Sequence, residues 1–218
     1  MKYWWKVLTV ILLSYVLIAG LLVEVPRQII LYETIRNLYF HVPMWFSMIF
    51  LFFISVVYSV KSLSGTDLKH DRKAVELVNT GIIFGILGTL TGSIWAKFTW
   101  GAWWTNDVKL NGSAITMLIY LAYIVLRGSL EDEQKRARIS AVYNIFAFVL
   151  LIVFIGILPR MTDSLHPGNG GNPGFNNYDL DDNMKLVFYP AVLAWILLGW
   201  WIATLRFRIS NLQQNLFT

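Results

Sequence analysis

The sequence predicts an all-α integral membrane protein of six transmembrane helices, with both termini cytoplasmic and a tryptophan-rich loop on the outer face. Three observations predict it. Of 218 residues, 56% are hydrophobic and only 14% charged, with a mean hydropathy of +0.56, whereas a soluble domain carries about 25% charged residues. Apolar runs of about 18 residues or more read as membrane helices, and six such segments occur, at roughly 4–23, 42–60, 76–96, 113–127, 140–158 and 186–205. Finally, the 18 Lys and Arg residues divide unequally between the two sides that this layout creates. Twelve fall with the termini and the second and fourth connections (Lys2, Lys6, Lys61, Lys69, Arg72, Lys73, Arg127, Lys135, Arg136, Arg138, Arg206, Arg208). Six fall on the other side (Arg27, Arg36, Lys97, Lys109, Arg160, Lys185). By the positive-inside rule the basic side is cytoplasmic.

The first span follows Lys2 and Lys6 as a signal peptide would. Its apolar stretch is long and lacks a small-x-small cleavage site, so an uncleaved helix is expected. The stretch 24–41, "EVPRQIILYETIRNLYFH", mixes charges with Ile, Leu and Tyr and is expected to form an interfacial amphipathic helix. His41 then opens span two in "YFHVPMW", with Pro43 suited to a first helical turn. Span three contains "GIIFGILGTLTGS", in which Gly81, Gly85, Gly88 and Gly92 form one helical stripe. Such small-residue stripes let helices approach closely in lipid, so a packing role is expected.

The connection from span three to span four reads "WAKFTWGAWWTND" over residues 95–107, part of an outer loop of about 97–112. Four tryptophans, Trp95, Trp100, Trp103 and Trp104, fall within ten positions. Interfacial belts also use tryptophan. At 100° per residue, however, Trp100, Trp103, Trp104 and Asp107 share one helical face, and a belt has no use for a carboxylate there. The cytoplasmic runs "EDEQKRAR" and "KSLSGTDLKHDRK" read as solvated connections, His70 among them. A second outer loop, about 159–185, carries His166 in "DSLHPGNGGNPGFNN", whose proline and glycines oppose regular structure, and "YDLDDN", a polar loop. No composition shift marks a boundary, so residues 1–218 read as one membrane domain.

The absence of cysteine excludes disulfides, thiolate metal sites and thiol exchange. Nothing points to nucleic acid. Of three histidines, His41 and His166 lie on the outer side with the tryptophan loop between them in sequence. Two neutral imidazoles can supply both axial bonds to a haem iron, and an aromatic platform can cover the porphyrin's apolar area. Arg36, Lys109 and Arg160 are candidate partners for the propionates. Asp107 can orient an imidazole or an indole N–H, or cap a helix. A mobile glycine-rich loop after His166 suits a ligand that must be released.

In this order the motifs resemble a known family. "WGAWWTND" (Trp100 to Asp107) resembles the WWD signature of haem-handling proteins, and "HVPMW" and "SLHPG" resemble the flanking histidine motifs of haem exporter protein C, CcmC, of cytochrome c maturation. The resemblance covers nearly the whole chain. It implies His41 and His166 as axial ligands of haem b, with Trp100, Trp103, Trp104 and Asp107 holding the haem. It also implies a bacterial inner-membrane location and partnership with ABC transporter subunits and a small membrane subunit. A periplasmic haem chaperone would receive the haem for delivery to apocytochrome c, a handling role rather than an enzymatic one. Two departures stand out: Asn106 occupies a position where the family often has a further tryptophan, and Lys109 stands where arginine is expected.

Other classes fit less well. A small-molecule transporter would carry ionisable groups at mid-membrane, and none lies well inside any span. An electron-transfer cytochrome would place histidines within the bilayer on facing helices. The larger cytochrome c synthase relatives carry extra intramembrane histidines that this chain lacks. A haem-containing membrane enzyme, or one holding a metal with Asp107 and two histidines, is the remaining alternative, although neither His has a short-spaced ligand neighbour.

Overall fold

The computed structural model describes residues 3–169, 171, 172, 174, 175 and 179–217. Six helices among them are long and apolar enough to cross a membrane, and no strand occurs among the described residues. They are α1 (Trp4–Leu22), α2 (Leu38–Leu63), α3 (Leu68–Trp100), α4 (Val108–Gly128), α5 (Glu133–Met161) and α6 (Asp182–Phe217). Each expected span lies on one of them, apart from a residue at the first. Most helices run past the apolar stretch because their polar end turns still satisfy the backbone. At 1.5 Å per residue the 33-residue α3 is about 50 Å long, against an apolar bilayer core of about 30 Å.

Helix ends follow local chemistry. Asp67, Asp107 and Asp132 each cap a following helix by accepting backbone N–H groups. Gly101, at φ +80°, closes α3 in the left-handed conformation that glycine adopts without penalty. Segment 24–41 departs from the expected amphipathic helix. It forms only one short 3-10 helix, Tyr32–Asn37, before α2 begins at Leu38. Pro26 has no N–H to donate, and Arg36 donates to the Gly20 and Val23 carbonyls, tying this segment back onto the end of α1.

Pro43 lies inside α2 rather than in its first turn. A proline there leaves the carbonyl four residues earlier without its helical donor. That carbonyl, Tyr39 O, accepts instead from Trp195 Nε1 at 3.3 Å. Pro190 in α6 is treated alike, for Leu186 O accepts from the Tyr15 hydroxyl at 3.1 Å. In α5 the helix widens to a π segment over Ile152–Ile157, just ahead of Pro159.

α2 is the hub, packing on α3, α5 and α6, while α1 lies against α6 and α4 against α5 and α3. The α2–α3 seam is the most extensive. The glycine stripe makes it so, in keeping with the packing role expected. A Cβ at Gly81 would strike Phe52, at Gly85 Met48 and Met117, at Gly88 Trp45, and at Gly92 His41. Phe52 is itself stacked on Tyr120 with centroids 3.6 Å apart.

The helices alternate in direction, so the two ends differ in chemistry. One end gathers two ion pairs, Arg127 to Asp71 through two bonds of 2.7 and 2.6 Å and Arg206 to Glu76 at 2.8 Å, and a hydrogen bond from Arg72 to Asn211 Oδ1 at 3.1 Å. The other end gathers His41, the tryptophan loop and His166.

Candidate functional site

His41 sits on the first turn of α2, turned toward α3. Its Nδ1 lies 3.0 Å from the Gly88 carbonyl and 3.2 Å from Thr91 Oγ1. A carbonyl only accepts, so Nδ1 carries the hydrogen and the Nε2 lone pair is left free. Gly92 makes the room, since any side chain there would occupy the volume of the imidazole. Trp95 and Trp45 wall the ring edge-on, with centroids 5.9 and 6.4 Å away. The Trp95 indole donates to Thr34 Oγ1 at 3.2 Å, which fixes that wall to the 3-10 helix.

His166 is held from the opposite bank. Its Nδ1 is 3.1 Å from Asp107 Oδ1, and a carboxylate too can only accept. Nε2 is again the free nitrogen. Trp100, the last residue of α3, meets the ring edge-on at 4.8 Å. The two imidazoles lie within electrostatic range of each other, and His41 within that of Lys109. Positions 125 residues apart in the chain thus converge at one end of the bundle.

Asp107 does more than the sequence allowed it. Its side chain is only 2% exposed, and it both caps α4 and orients an imidazole. Oδ1 accepts from Lys109 N at 2.9 Å, Leu110 N at 3.3 Å and the His166 ring. Oδ2 accepts from Ser164 Oγ and Leu165 N, both at 2.8 Å. Burial pushes this carboxyl up. The hydrogen bonds from His166, Leu165 and Ser164 outweigh that and hold it well below the usual carboxylate range.

The shared helical face of Trp100, Trp103, Trp104 and Asp107 is overturned. α3 ends at Trp100, residues 101–107 are non-helical, and Asp107 is the cap of a new helix. Asp107 therefore turns inward. Trp103 and Trp104 project outward, 58% and 41% exposed. Both are nonetheless tethered: Ser93 Oγ donates to Trp103 O at 2.7 Å, and Trp104 Nε1 donates to Asn111 Oδ1 at 3.2 Å. Asn111 in turn donates to Asn106 Oδ1 at 2.7 Å. The asparagine that stands in a frequent tryptophan position thus ends a relay that steadies Trp104.

The segment bearing His166 also differs from the loose loop expected. Asn169 Nδ2 donates to Ser164 O and His166 O, and Lys109 Nζ donates to Pro167 O at 2.8 Å. Residues 164–169 are a compact turn pinned to the head of α4. Part of the motif that was expected to be mobile, residues 170, 173 and 176–178, lies outside the described residues.

The three candidate propionate cations separate. Arg36 is committed to Glu33 and to the end of α1, and Lys109 to Pro167 O. Arg160 is exposed, has no hydrogen bond or ion pair among the described residues, and lies within electrostatic range of Lys109. Thr91, Ser164 and Asn111 carry no signal in the sequence, while Trp95 and Gly88 stand out there only as part of the tryptophan cluster and of the glycine stripe. Gly88 lies on the glycine stripe expected to serve packing, and Thr91 stands beside it. Among the described residues no three His, Asp or Glu side chains gather closely enough to hold a metal ion by themselves.

Comparison with known proteins identifies a family. A family model described as "Heme exporter protein C", CcmC, matches residues 1–217. A heme exporter protein C of Bradyrhizobium diazoefficiens is 32% identical over 152 residues, which is 68% of this chain and 56% of that protein. The chain therefore spans little more than half the length of that relative. The Haemophilus influenzae heme exporter protein C is 22% identical over 95% of this chain and 83% of its own length. A cytochrome c biogenesis protein CcsA of Prochlorococcus marinus is 32% identical over 48% of this chain and 34% of its own length.

Proposed function

Because the chain belongs to the heme exporter protein C family, we propose that it holds haem at the outer, periplasmic face of the bacterial inner membrane. From there it passes the haem to a soluble haem chaperone for cytochrome c maturation. His41 and His166 are the axial ligands, and haem b is the cargo.

One observation carries this reading. Both rings have Nδ1 committed to a fixed acceptor, Gly88 O in one case and Asp107 Oδ1 in the other, and both offer Nε2. A hydrogen bond to the distal nitrogen fixes tautomer and ring orientation and strengthens the ligand. Two such nitrogens and no third protein ligand suit an iron that brings its four equatorial nitrogens with it. Trp100 beside His166, and Trp45 and Trp95 beside His41, supply apolar walls. The exposed Trp103 and Trp104 extend that apolar surface outward, where a flat hydrophobic ligand rests. Of the three candidate cations, Arg160 is the one without a bond among the described residues and would meet a propionate.

In this scheme the chain's own residues bind, orient and release, and none makes or breaks a covalent bond. The termini and the ion-paired end face the cytoplasm, where an ABC transporter pair and a small membrane subunit of the export system would meet it. Absorption spectroscopy of the purified full-length protein, produced with ample haem, tests the assignment. A Soret band is expected in wild type and in His70→Ala, and a strongly weakened one in His41→Ala and in His166→Ala. An undiminished band in both outer-face variants, with native folding by size-exclusion chromatography, would overturn it.

A further inference from the structure

At the end of the bundle opposite His41, a cavity of 420 Å³ lies between the α2–α3 connection and the start of α5. Its lining is mixed: Ser62, Thr66, Asp67, Gln134, Lys135 and Arg138 stand beside Leu63, Leu68 and Ala137. The connection is tied to α5 by Gln134 Nε2, which donates to Thr66 O at 3.0 Å. Asp67 is already used, accepting from Lys69 N at 2.8 Å to cap α3. Lys135 and Arg138 are exposed, and neither side chain has an acceptor among the described residues. Arg72, Arg127, Arg136 and Arg206 at this end each have a polar partner of their own.

A second cavity, of 510 Å³, begins at the same Arg138 and runs between α4 and α5 toward mid-membrane. Its other lining residues are Leu126, Ile139, Val142, Tyr143 and Phe146. The one hydroxyl among them is spent, since Tyr143 donates to Ile119 O at 3.0 Å. The groove is therefore wholly apolar below its mouth. Val142 and Phe146 are more than half exposed on the outer surface of the bundle, at the depth of lipid tails.

We propose that these two cavities, which share Arg138, are a binding site for an anionic phospholipid, with its phosphate at Lys135 and Arg138 and an acyl chain along the α4–α5 groove. The shared Arg138 decides the ligand class. A free phosphate would use the two cations of the first cavity and leave the groove unexplained. A partner's transmembrane helix would use the groove and leave two unpaired cations at the headgroup level. Only an amphiphile with a negative head fits both in the observed order. Arginine is suited to phosphate, and its stem can lie along apolar surface while the guanidinium stays at the interface.

The test is native mass spectrometry of the full-length protein released from nanodiscs holding equal phosphatidylglycerol and phosphatidylcholine. Phosphatidylglycerol adducts are expected to predominate, and the preference to fall about fivefold for each of Lys135→Gln and Arg138→Gln. Val142→Trp, on an exposed face where folding tolerates bulk, obstructs the groove and is expected to lose both adducts with the cations intact. Lys61→Gln, at the same end but outside both cavities, is expected to keep them. Equal retention of the two lipids by wild type overturns the proposal. So does loss of adducts in the charge variants without loss in Val142→Trp, or their displacement by excess inorganic phosphate, either of which marks a soluble-anion site.

Discussion

Asp107 Oδ1 lies 3.1 Å from His166 Nδ1 while the same atom caps α4 through Lys109 N and Leu110 N. One atom thus links the position of an imidazole to the formation of a transmembrane helix. Asp107→Asn can keep the cap, because asparagine is as good at that position. It loses the anionic acceptor for the ring, and a hydrogen bond to a charged group contributes about 1.5–3 kcal/mol. Haem affinity, read by Soret titration, is expected to fall by about tenfold or more while helicity is unchanged.

The same carboxyl sets a pH signature. Its pKa in the fold lies below the usual range, so its stabilisation is fully present above the unfolded value of about 3.9 and is lost as pH falls through the folded value. The difference in melting temperature between wild type and Asp107→Asn should therefore persist down to about pH 4 and shrink below it. A difference that vanished between pH 6 and pH 5 would contradict the sign.

Gly92→Ala places a methyl group where the His41 ring lies. The ring must move off its Gly88 acceptor, and the Soret band should weaken much as in His41→Ala. Gly81→Ala, on the same stripe but facing Phe52, should lower thermal stability and leave the Soret position unaltered. The contrast between the two separates ligand placement from packing.

Trp103 and Trp104 are exposed enough that truncation leaves no internal cavity. Surface changes of that kind alter stability by about 0.5 kcal/mol or less. Trp103→Ala/Trp104→Ala is expected to insert and melt normally but to lose haem faster to a soluble acceptor such as apomyoglobin. Asn111→Ala, which releases the Trp104 indole, should show part of the same effect.

At the other end, Asp71→Asn leaves Arg127 facing a neutral partner in a site where both side chains are largely buried. Removing one member of a buried pair costs about 3–5 kcal/mol. The variant is expected to melt well below wild type. Any folded fraction should retain an unshifted Soret band, since the pair lies far from both imidazoles.

Much of this was legible in the chain. The six spans followed from hydropathy because a bilayer demands long apolar helices, and His41, His166 and the tryptophans between them stood out by their order along the chain. Asp107 was recognised as a candidate with two roles, but the sequence could not show that it performs both. The helical-wheel placement failed because Gly101 breaks the helix, so period 3.6 no longer applies beyond Trp100. Thr91 and Gly88 were hidden for another reason. Their part is a backbone carbonyl and a hydroxyl meeting a ring from another helix, a tertiary contact with no periodic trace. The expected amphipathic helix at 24–41 lost to the pull of Arg36 on the end of α1, which is also non-local.

The turn bearing His166 is fastened at the Asp107 carboxylate and, separately, by Lys109 Nζ at Pro167 O. The ring, the Leu165 amide and the Ser164 hydroxyl all converge on the first of these. Whatever displaces or neutralises that carboxylate unbuckles all three together, while His41 stays bolted to its helix. Haem held as proposed above would then lose its His166 side first.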